Sequence, residues 1–149
     1  MGISKRISIG VYVMAFVFLS CSTAKAPAVP PPKSPTVYFG YGGGFAGKEH
    51  SYSITDKGWV YSGDGEITPY QYIGRIQRAK AAQLVKLFST LKLHQVEFQH
   101  PDNTYFFLGY RDDKSQHRIV WSNHRDVDTK VTDYYQLLMD VINPFLKNK

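Results

Sequence analysis

Two sets of residues in this chain are of the types that carry chemistry. They are the glycine run Gly42-Gly43-Gly44-Phe45-Ala46-Gly47 and the five histidines His50, His94, His100, His117 and His124. The glycines match G-x-G-x-x-G, and Asp64 and Glu66 follow near the distance at which an acid meets a ribose. That fingerprint works only where a helix starts at the glycines, so that its amides and dipole meet a pyrophosphate. Lys48 to Thr55 instead alternates like a strand. The glycines are therefore expected to supply positive φ in a tight connection or bulge, with no dinucleotide bound. The histidines include no H-x-x-x-H pair and have no thiol partner, so a metal site would have to be assembled from distant positions. No G-x-S-x-G elbow is present for a serine nucleophile. His100-Pro101-Asp102-Asn103 reads as a loop, and His117 and His124 flank the strand bearing Trp121 at positions expected to be exposed. The expectation is a protein that is not an enzyme, with no cofactor and no metal.

The one cysteine, Cys21, stands where a short apolar run ends. Lys5 and Arg6 precede the 13 residues Ile7 to Leu19, and Ser20-Cys21-Ser22 follow. A basic start, an apolar segment and a small residue before the cut make a secretory signal, too short for a spanning helix, which needs roughly 20 apolar residues. Residues 1–20 are expected to be removed. Phe18-Leu19-Ser20-Cys21 resembles the lipobox of bacterial lipoproteins, with the leucine one position later than usual. The resemblance implies a diacylglyceryl thioether on Cys21 and an amide-linked acyl chain such as palmitate. Since one chain holds only marginally, at about 0.8 kcal/mol per buried CH₂, two or more make the attachment stable. The neighbour Ser22 is not an aspartate, which by the sorting rule of such lipoproteins implies the outer membrane, facing the periplasm. With no second cysteine no intramolecular disulfide can form, although an exported compartment would permit one.

From Cys21 to Thr36 the chain changes character, carrying prolines at 27, 30, 31, 32 and 35. Proline fixes φ and removes an amide donor, so this stretch reads as an extended tether. At about 3.1 Å per residue, its roughly fifteen residues reach about 45 Å. Residues 37–149 are long enough for a single domain. The net charge is +6, and the leader holds Lys5 and Arg6 of that surplus. Asp112, Asp113, Asp126, Asp128 and Asp133 are interspersed among the basic residues. Nucleic-acid binding would show as Lys/Arg clustered on one element, so none is expected.

Periodicity then places the elements. Val37, Phe39 and Tyr41 alternate, as do Tyr52 and Ile54, and Trp59 to Tyr61 extends a third strand beyond the Lys57-Gly58 turn. Ala81, Leu84, Val85, Phe88 and Leu91 recur at helical spacing, predicting a helix from Ile76 or Ala79 to Lys92. Tyr105 to Arg111 and Gln116 to Asn123 read as a hairpin about Asp112-Asp113-Lys114-Ser115. A last helix carries Val131, Tyr134, Tyr135, Leu138, Val141, Ile142 and Phe145 on one face. Asp128 is placed to cap it, and Pro144 should end or distort it. The fold class is α+β, an antiparallel sheet of about five strands with two helices on one face, in the order β-β-β-α-β-β-α.

With those elements around it, the string Gly43-Gly44-Phe45-Ala46-Gly47 resembles the emfourin family of small inhibitors of thermolysin-type metallopeptidases. The resemblance covers roughly residues 37–145 and rests on that string. It implies an α+β domain that blocks a peptidase cleft without catalysis, with Gly43, Gly44, Phe45, Ala46 and Gly47 as the protein-binding loop. Phe45 is either an exposed anchor at the tip or a plug turned into the sheet end. The sequence therefore leads to a membrane-moored domain that binds another protein, a metallopeptidase or an envelope-assembly partner.

Overall fold

The computed structural model describes residues 34–64, 71–123 and 126–147. The leader, Cys21, nearly all of the tether, Glu66 and His124 lie outside the described residues.

Strands β1 (Thr36–Gly43), β2 (Lys48–Thr55), β3 (Trp59–Asp64) and β4 (Gln71–Arg75) come first, followed by helix α1 (Arg78–Thr90). A 3-10 turn (Leu93–Gln95), the hairpin β5 (Thr104–Arg111) and β6 (Gln116–Trp121), and helix α2 (Thr129–Leu146) complete the chain. The strands form one antiparallel sheet in the order β4-β3-β2-β1-β5-β6. The α+β class holds. The strand count does not: there are six, because β4 lies between β3 and α1 and makes the order β-β-β-β-α-β-β-α. β4 offers only Tyr72 and Ile73 as apolar residues, ends in Gly74-Arg75, and pairs with β3 through a register shift at Val60/Tyr61. An edge strand of that composition has no alternation to read.

Both helices bury their apolar stripes against the same face of the sheet. Ala81, Leu84, Val85 and Phe88 of α1 and Val131, Tyr134, Leu138 and Ile142 of α2 share one cluster with Val37, Phe39, Tyr52, Ile54, Val60, Leu108, Ile119 and Trp121. Each fully buried aliphatic or aromatic side chain of this kind contributes about 1.5–3 kcal/mol. On the opposite face Tyr38, Phe107 and Val120, with Tyr105, form a smaller cluster. Residues 98–100 run beside β6, Val120 N–H donating to Phe98 O at 2.9 Å and His100 N–H to Val120 O at 3.0 Å. Among the described residues, this leaves β4 as the uncovered edge.

Local signals explain the joints. The Asp128 side chain accepts from Lys130 N–H at 3.0 Å and so caps α2 as predicted. The β5–β6 turn is built on Asp112, whose Oδ1 accepts from the amides of Lys114 at 2.8 Å and Ser115 at 2.7 Å. Those amides, with the Tyr110 hydroxyl, hold the Asp112 carboxyl at about 2. Pro144 does not end α2, which continues to Leu146. Pro144 forfeits the bond that an amide there would make to Asp140 O, but only two helical residues follow it, and these, Phe145 and Leu146, pack on the core. Phe145 lies so close to Gly74 that a Cβ there would sit 2.3 Å from its ring.

Candidate functional site

The β1–β2 hairpin presents the glycine string at its tip. The ladder closes at Gly43 and Lys48, leaving Gly44-Phe45-Ala46-Gly47 as the connection. Gly47 N–H donates to Gly44 O at 3.1 Å, and Gly44 N–H donates to Asn103 O at 2.6 Å, which ties the tip to the segment entering β5. Gly43 has φ +97, and a Cβ on it would fall 2.0 Å from Asn103 O, so this position accepts only glycine without rearrangement. The outcome is an outward-pointing Phe45 with relative exposure of 111%. Of the two orientations open from the sequence, the structure has the exposed one. After Gly47 the chain enters β2, so no helix start faces the glycines and the dinucleotide geometry is not formed.

Behind the tip lies a cavity of about 380 Å³, open to solvent and mostly apolar. Tyr41, Ala46, Lys48, His50, Tyr105 and Phe106 contribute to its lining. Beside it, His50 Nδ1 bonds Asp64 Oδ1 at 2.8 Å. A carboxylate only accepts, so Nδ1 is the donor and the imidazole is held with Nε2 away from Asp64. The Tyr41 and His50 rings are 5.1 Å apart. Burial, followed by the neighbouring Tyr41 hydroxyl, pushes the Tyr52 phenol up to about 12. On the other face Glu49 Oε2 accepts from Arg118 Nη2 at 2.7 Å and from the Tyr105 hydroxyl at 3.0 Å. The Arg118 guanidinium lies 4.3 Å above the Phe107 ring. These contacts stiffen the end of the sheet that carries the tip.

The structure does not bring the remaining histidines to this end. His117 is not an exposed cross-strand residue. Its Nε2 is 3.0 Å from Val96 O, and its ring meets Phe88 edge-on at 6.1 Å, because the segment after α1 folds back over β6. His94 and His117 border a second cavity of about 430 Å³ between α1 and the β5–β6 turn. There Tyr110 donates to Asp112 at 2.8 Å. His100 packs edge-on to Phe98 at 4.6 Å. Among the described residues no three His, Cys, Asp or Glu side chains gather as metal ligands.

Sequence reasoning missed the His50–Asp64 pair. The signal was present: a hairpin centred on Lys57 puts Ile54 opposite Val60 and His50 opposite Asp64, as observed. The same reflection about Phe45 and Ala46 sets Glu49 beside Gly42 and, one strand further, Tyr105. Compared with known proteins, the chain matches no protein-family model and no curated sequence.

Proposed function

We propose that this chain is a lipid-anchored, non-enzymatic envelope protein whose α+β domain binds another protein through the Gly43–Gly47 tip. The observation that carries the reading is Phe45, fully exposed on a hairpin end tied down by the Gly44–Asn103 bond. A rigid aromatic of this kind supplies much of the energy of a small interface, since its ordering cost is already met. Among the neighbouring polar side chains, Glu49 is committed to Arg118 and Tyr105, which braces the hairpin behind the tip. The signal-like leader and Cys21 support export and lipid attachment, with Ser22 directing the protein to the outer membrane. The GGFAG string, through its resemblance to the emfourins, makes a thermolysin-type metallopeptidase the first target to test.

A second reading, an envelope-assembly lipoprotein without a protease target, is favoured by the uncovered edge β4, where Tyr72 is 45% exposed. Steady-state proteolysis by a thermolysin-type peptidase separates the two. Inhibition at stoichiometric amounts, lost in Phe45→Ala, is the expected result. Undiminished proteolysis at large excess removes the protease target and leaves the assembly reading. Mass spectrometry of the mature amino terminus tests the anchor, and an unmodified terminus would refute it.

A further inference from the structure

The cavity behind the tip is not filled by Phe45, which does not line it. At about 380 Å³ it falls within the range of about 300–1,000 Å³ typical of ligand sites, and such sites combine apolar walls with a few placed polar groups. Tyr41, Phe106 and His50 bring aromatic rings to it, and exposed Lys48 brings an ammonium group. Of the two nearby carboxylates, Glu49 is ion-paired with Arg118 and Asp64 is hydrogen-bonded to His50. Among the described residues Lys48 has no ion pair. An apolar cavity edged by a lysine with no ion partner favours a flat apolar group carrying a carboxylate that reaches that ammonium.

We infer that this cavity is a docking site for an extended protein segment in which an aromatic residue is flanked by an acidic one. The ring enters between Tyr41 and Phe106, and the carboxylate pairs with Lys48. That the occupant is a protein rests on the function proposed above; the chemistry of the cavity does not. Phe45 projects from the same hairpin, so one partner meets two contacts at once, its own aromatic side chain received here while Phe45 is received on its surface. The cavity thus adds a sequence preference that an exposed phenylalanine alone would lack.

The test is fluorine NMR of two probes with the full chain, purified in detergent. They are N-acetyl-Asp-(para-fluoro-Phe)-amide and its Asp→Lys counterpart. The expected result is saturable binding of the acidic probe, about tenfold tighter than the basic one, as a change from charge attraction to repulsion produces. Lys48→Glu should reverse the order, and Phe45→Ala should leave both affinities unchanged. Equal affinities, unsaturable binding, or indifference to Lys48→Glu would overturn the assignment, as would loss of probe binding in Phe45→Ala. The tip reading stands or falls separately, because it predicts loss of protein capture in Phe45→Ala whatever the probes do.

Discussion

Replacing Gly43 with alanine should damage the tip far more than the same change four residues later. At Gly43 the backbone has φ +97, outside the small left-handed region open to L-residues, which costs roughly 1–3 kcal/mol. The new methyl would also fall 2.0 Å from Asn103 O, the acceptor of the Gly44 amide. Moving that carbonyl forfeits a hydrogen bond of about 1 kcal/mol. Together the loss is about 3 kcal/mol, a large share of the roughly 5–15 kcal/mol that holds a domain folded. Gly47 has φ +57 with open space around it, so Gly47→Ala should cost about 1 kcal/mol. With a urea dependence of about 2 kcal/mol per molar, the two midpoints should differ by about 1 M. Trp59 and Trp121, both buried, report the unfolding by fluorescence. Coincident midpoints for the two variants would refute the claim that Gly43 is fixed by the Asn103 contact.

Other outcomes follow from buried phenols and the turn carboxylate. Burial raises Tyr52, Tyr61 and Tyr110 to about 12 and Tyr134 and Tyr135 further. Their neutral forms therefore stabilise the fold fully below the unfolded value of about 10, and that stability is lost as pH rises through about 12. Ultraviolet titration should show these phenols ionising only as the chain unfolds; a single step near 10 with the fold intact would contradict it. The Tyr134 hydroxyl donates to Leu84 O at 2.7 Å, so Tyr134→Phe should lower stability by about 1 kcal/mol in the same urea assay, and no change would remove that bond from the account. Asp112 sits at about 2 against an ordinary 3.8, so its support of the β5–β6 turn is complete above the ordinary value and fades as pH falls toward 2. Amide shifts of Lys114 and Ser115 should titrate with that depressed midpoint, and a midpoint near the ordinary value would contradict the turn geometry.

Much of the scaffold is legible in the residues. Val37 and Phe39 alternate because one face of β1 is buried beneath both helices, and the stripe from Val131 to Ile142 is continuous because α2 lies on that face. Asp128 and Asp112 declare a helix start and a turn through local hydrogen bonds that need no tertiary context. What escapes reading depends on distant partners. β4 exists because β3 offers it a ladder, not through any periodicity of its own. His117 turns inward because Val96 arrives over it, and past Pro144 the helix ends only after Phe145 and Leu146 have packed on the core, Phe145 against Gly74. At the tip, glycines at positive φ are legible, but the direction of Phe45 depends on the Gly44–Asn103 tie, which joins segments far apart in sequence.

On the function proposed above, Phe45 is the contact by which this domain holds another protein. Full-length chain carrying benzoyl-phenylalanine in place of Phe45, illuminated in bacterial cells, tests it most directly. The expected result is a discrete adduct with a second envelope protein, missing when the same group replaces Leu137, which is 40% exposed on α2. No adduct from position 45, or the same adducts from both positions, would contradict it.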